Sequence, residues 1–126
     1  MQNFRDLIVW RKSHGLVLEI YKKTASFPRE EMYALTSQVK RASTSIPANI
    51  AEGCGRNSGP ELAQFLQTAM GSASELEYHL LLARDLGYID SGVHEAMEKE
   101  VTGIKRMLAS LIGKLRGRSS SVAVMD

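Results

Sequence analysis

A single cysteine, Cys54, stands in 126 residues, so no intrachain disulfide is possible and the fold must rest on a buried core. The length permits one: a domain of this size buries roughly two-thirds of its unfolded surface. Apolar runs of about 18 residues are missing, which removes a membrane-spanning helix and any membrane partner from the reading. The opening stretch MQNFRDLIVW has neither the charged start nor the apolar stretch of a secretory signal. With a lone cysteine, these absences point to a reducing, cytoplasmic compartment. Segments alternating apolar and polar residues with β-branched side chains are also lacking, so strands are not expected. Prolines number three, at 28, 47 and 60.

What is present is helical periodicity along nearly the whole chain, in four segments. The first opens at Asn3, a good N-cap, and must stop before Pro28, because the residue ahead of a proline avoids the helical basin. Its stripe reads Leu7, Trp10, His14, Val17, Tyr21, widened by Ile8, Leu18 and Ile20, and Gly15 within it suggests a close helix approach. The second runs from about Arg29 to Gly53, with Leu35, Val39, Ala42, Ile46 and Ile50 in register on both sides of Pro47. Surviving periodicity implies a bent but continuous helix, with Ser43, Thr44 and Ser45 placed to satisfy backbone groups freed by the proline. Gly53 and Gly55 read as its stop.

The third segment has the strongest pattern: Leu62, Leu66, Ala69, Ala73, Leu76, Leu80 and Ala83 make a heptad-like seam. Ser58 and Glu61 form a capping box, or Pro60 sits at the first helical position, and Gly87 closes the helix. The fourth begins near Asp90 or Ser91 and carries Met97, Val101, Ile104, Leu108, Leu111 and Leu115. Residues 119–126 are serine-rich and aperiodic, a flexible C-terminal tail after a single domain over 1–118. Short connections between four long amphipathic helices give an all-α, up-down-up-down antiparallel four-helix bundle.

Chemistry usually hosted by such bundles is hard to place. A di-metal centre needs two Glu-x-x-His motifs, and the sequence has none. Glu75 and His79 share a face but lack companions. Cys54 has no identifiable base, and Gly53-Cys54-Gly55 has neither the preceding strand nor the lysine of a phosphate loop. Catalytic, metal and cofactor sites are therefore not expected, and the protein reads as non-enzymatic. Pro47, Asn49, Glu52, Gly53 and Arg56 read as a structural motif at the end of the second helix.

Charge is unevenly spread. The net balance is +4 over residues 1–60, −6 over 61–100 and +4 over 101–126. Lys40 and Arg41 adjoin on the second helix. Lys105, Arg106, Lys114, Arg116 and Arg118 crowd the fourth, with no acid between 101 and 125. These seven residues are the candidate contacts to RNA or DNA phosphates, of the broad, sequence-independent kind. Aromatic interleaving for base stacking is absent. Apolar residues beyond a single seam, among them Ile8, Val9, Leu16, Leu18, Ile20, Leu81, Leu82, Leu86 and Ile112, predict association between copies.

Several segments also carry a resemblance. Trp10-Arg11-Lys12, Phe27-Pro28-Arg29-Glu30, the run Leu35–Ala42, the run Ser45–Gly53 with Arg56, Phe65-Leu66, Ala69–Ser72 and Glu75-Leu76-Glu77 occur in an order that resembles the four-helix bundle proteins encoded within intervening sequences of bacterial 23S rRNA genes. That family is similar to the accessory proteins of diversity-generating retroelements. The resemblance spans residues 4–115. It implies a ring-like homopentamer without known catalytic activity. From the retroelement relatives it implies a basic surface that binds nucleic acid and a reverse transcriptase. The remaining alternative is a structural oligomeric scaffold for a protein or small ligand, without nucleic acid.

Overall fold

Apolar seams recurring every three to four residues can be buried only against one another, and here four of them converge. The computed structural model describes residues 2–117 and contains α1 (Ile8–Thr24), α2 (Leu35–Cys54), α3 (Gly59–Asp85) and α4 (Ser91–Gly117), with no strand among the described residues. Consecutive helices pack together and α4 returns to α1, whereas the backbones of the diagonal pairs, α1 with α3 and α2 with α4, stay apart. With such short connections this is an up-down-up-down four-helix bundle. Packing is broadest between α2 and α3 and narrowest between α1 and α4.

The seams of α2 and α3 are buried as expected: Val39, Ile46, Ile50, Leu66, Ala69, Ala73 and Leu76 have almost no exposure. On α4, Val101, Ile104 and Leu108 are buried too, while Ile112 goes into the core and Leu111 and Leu115 pack at its edge. The α1 seam is corrected. Its buried positions are Val9, Ser13, Leu16, Val17, Ile20 and Thr24, so the core-facing stripe is turned by about one residue from the expected one, keeping Val17, while Leu7 and Trp10 pack at its edge. Tyr21 is exposed, and Val9, Leu16 and Ile20 are not surplus apolar surface. Two polar residues make the shift possible by turning their hydroxyls onto their own helix: Ser13 donates to the Trp10 carbonyl at 2.9 Å and Thr24 to that of Ile20 at 2.8 Å.

Helix starts differ from expectation at two places. Asn3 does cap, accepting from the Arg5 amide at 3.0 Å, but the turn it caps is a single 3-10 turn over Phe4–Asp6. Leu7 is then extended, and α1 begins only at Ile8. Likewise Arg29–Glu31 form one 3-10 turn, and α2 starts at Leu35. Glu31 explains the delay. One of its oxygens accepts from the Leu35 amide at 3.2 Å, satisfying an orphan donor of the first turn. The other accepts from the Tyr88 hydroxyl at 2.8 Å. Glu31 thus ties the α1–α2 connection to the α3–α4 connection at one end of the bundle, and raises the Tyr88 pKa by stabilising the protonated phenol.

At α3 both expected caps are present. Ser58 accepts from the Glu61 amide at 3.3 Å and donates to the Glu61 carboxylate at 3.1 Å. Gly87 has φ +81°, and the amides of Gly87 and Tyr88 bond back to Arg84 and Ala83, a Schellman ending that requires the left-handed region. Helix α2 runs unbroken through Pro47, with Ile46 and Ile50 buried. The hydroxyls of Ser43 and Thr44 bond the Lys40 carbonyl rather than the carbonyl that the proline leaves free.

Candidate functional site

Among the described residues no three His, Cys, Asp or Glu side chains converge to hold a metal ion. The histidines are scattered. His14 stacks on Trp10 with ring centroids 5.0 Å apart, His94 is buried, and His79 bonds Glu75 at 3.1 Å, the pair that shares a face in the sequence. Cys54 is buried at the end of α2, and burial pushes its thiol pKa up. A desolvated thiolate is disfavoured, so the group is a poor nucleophile at neutral pH. Native protein should accordingly react slowly with a thiol-specific chromogenic disulfide at pH 8, and react at once in guanidinium. Equal rates in both would show the thiol to be accessible. The sign of the shift also means that stability is lost as pH rises through the folded thiol pKa.

The motif at the end of α2 holds helices together. Asn49 donates to the Ser45 carbonyl at 2.8 Å and contacts the Ser45 hydroxyl at 3.0 Å. Ser45 in turn bonds Ser72 of α3 at 2.8 Å. One turn on, Arg56 lies 3.7 Å from Glu52 and over the Phe65 ring at 4.8 Å. Gly53 is corrected from helix stop to close-packing site: it is buried inside α2, and a Cβ there would lie 2.8 Å from Leu62 and 2.9 Å from the Phe65 Cβ. Gly15, read as the close approach, has nothing within 4 Å of such a Cβ.

The basic residues do not form one surface. Lys40 and Arg41 sit on α2, diagonal to α4 and out of contact with it; Lys40 is held over the Tyr21 ring at 4.7 Å. Lys105 is tied to Glu77 of α3 at 2.9 Å, and Arg116 reaches Gln67 of α3 at 3.4 Å. Arg106 and Lys114 are exposed on α4. They lie eight residues apart, about 12 Å along the helix. Arg118 and the segment 119–126 lie outside the described residues.

A feature absent from the sequence reading is a groove of about 750 Å³ between α1 and α4, where the bundle is least tightly joined. Its floor is apolar, with Leu16, Val93 and Met97, and its rims carry Lys12, Glu19 and Lys23 on α1 and Asp90 and Glu100 towards α4. Small side chains open it: Gly15, Gly92 and Ala96 line it where larger residues would fill it. Those three small residues were the available signal, but in the sequence Gly15 points to a close helix approach and Gly92 and Ala96 carry no mark of their own.

A family model described as 23S rRNA-intervening sequence protein matches residues 5–110. Among solved structures, a protein of unknown function from the S23 ribosomal protein family of Bacteroides thetaiotaomicron VPI-5482 is 30% identical. That likeness covers 83% of this chain and 98% of the other, with a TM-score of 0.75. No functionally curated protein matches.

Proposed function

Since this chain belongs to the 23S rRNA-intervening sequence protein family, we propose that it acts as a non-enzymatic accessory protein that works as an assembly of several copies, a ring-like pentamer. One observation carries the reading. With the core closed, large apolar side chains remain at the surface: Ile8, Leu18, Tyr21, Tyr33, Tyr78 and Leu86, of which Tyr33 is 91% exposed. Together with the open α1–α4 groove they offer apolar surface that association between copies would cover. Static light scattering at micromolar concentration tests this. A mass near five chains is expected, and a mass near one chain would refute it.

A second reading adds nucleic acid as the partner, and the exposed pair Arg106 and Lys114 favours it. Neither has a partner among the described residues, and each would be repeated in every copy. Weak phosphate contacts of this kind become useful when one strand reaches several of them. The partners proposed for this surface are RNA or DNA and a protein partner such as a reverse transcriptase. If fluorescent duplex DNA and structured RNA show no anisotropy change at low salt, the scaffold reading without nucleic acid stands. No helix among the described residues is long and apolar enough to cross a membrane.

A further inference from the structure

We propose that the copies join head to tail, the outward face of α3 on one copy seating in the α1–α4 groove of the next; this inference rests on the assembly reading above and names its contact. The face on α3 is built from Glu75, Tyr78, Leu82 and Asp85, which lie three, four and seven residues from Tyr78 and so share one side of the helix. Tyr78 is 58% exposed, an aromatic knob with no partner ring other than the adjacent His79. Leu82 packs only partly against the core.

The groove matches this face in length and height, and in charge at Lys12 and Lys23, the two ends of its α1 rim. On α1, Lys12 and Lys23 stand about 16 Å apart, and on α3, Glu75 and Asp85 stand about 15 Å apart; Glu19, between the two lysines on the same rim, is paired with Lys22 at 3.7 Å. Neither lysine has a partner among the described residues. Both carboxylates are engaged on their own helix through one oxygen only, Glu75 with His79 and Asp85 with Arg84. Acids Asp90 and Glu100 line the opposite rim, so the acidic side of α3 is directed to α1.

Register follows from topology. In an up-down-up-down bundle α1 and α3 run the same way and end at the same end of the molecule. Lys23 and Asp85 lie at those ends, and Leu16 and Tyr78 both lie about two turns back from them. Copies at equal height around an axis along the bundle therefore bring Tyr78 level with Leu16 and with the space above Gly15 and Ala96. No residue of α3 lines the groove, so knob and groove are separate surfaces of one copy. Such a contact is heterologous, and with copies at equal height around one axis it repeats as a ring where the rotation closes.

Two arginine substitutions at exposed positions test the proposal: Tyr78→Arg removes the knob and Ala96→Arg blocks the groove. Each variant is expected to keep its helical circular dichroism and to fall from the assembly mass to that of one chain. Mixed in equal amounts they should form a species of two chains, since the intact groove of Tyr78→Arg can take the intact α3 of Ala96→Arg. If the wild-type chain assembles and both variants keep its mass, the contact lies elsewhere while the assembly reading survives. Two single-chain variants that stay single on mixing would overturn the head-to-tail contact. A wild-type chain that is itself monomeric would sink both readings.

Discussion

Gly53→Val is expected to lower stability by about 2–3 kcal/mol, a fall in melting temperature on the order of 10 °C for a domain of this size. The cause is overpacking at the broadest helix interface. A Cβ at Gly53 would lie 2.8 Å from the Leu62 Cδ1 and 2.9 Å from the Phe65 Cβ. The leucine tip can swing away. The Phe65 Cβ cannot, because it moves only with the backbone of α3. Valine would otherwise help slightly, since glycine inside a helix is the poorer helix former by a few tenths of a kcal/mol. The control is Gly103→Val on α4, where nothing lies within 4 Å of the added Cβ, and where the same change should be close to neutral. Thermal melts followed by circular dichroism compare the two. Equal melting temperatures would mean that α2 and α3 are not held apart by the absence of a side chain at Gly53.

Replacing Arg106 and Lys114 together by Gln should weaken nucleic-acid binding to all sequences alike and flatten its salt dependence. On duplex DNA the log–log slope is about −0.9 per phosphate neutralised, so losing two contacts should make it shallower by roughly 1.8 for each copy bound. Lys105→Gln separates this surface from a general charge effect. Its ammonium is already committed to Glu77 across the α3–α4 interface, so it offers less to a phosphate, and its loss should leave the slope nearly unchanged. Removing it also frees Glu77, at a cost to stability of about 1 kcal/mol or less for so exposed a pair. Anisotropy titrations from about 50 to 200 mM salt cover the range where such binding changes most. An unchanged slope in the Arg106→Gln, Lys114→Gln protein would place nucleic acid elsewhere on the molecule or remove it as a partner.

The class of fold, the number of helices and most of the core were legible in the sequence, because helical periodicity is local. Leu66, Ala69, Ala73 and Leu76 can share a face in only one way, and that face must be buried. Caps were legible for the same reason: Ser58 with Glu61, and Gly87, act within a few residues of themselves. What the tertiary structure decided is what depends on a second helix. The stripe of α1 was ambiguous while Val9, Leu16 and Ile20 competed with Leu7, His14 and Tyr21, and only the position of its neighbours selects the buried set. Glycine gives no local sign of its purpose, so Gly53 at a 2.8 Å approach and Gly15 over open space look alike until α3 and α4 are in place. A run of basic residues on one helix likewise has no direction by itself. The partners on α3 engage Lys105 and Arg116 and leave Arg106 and Lys114 facing water, because a charge near a fixed opposite charge or acceptor is held there, and one that faces water is not.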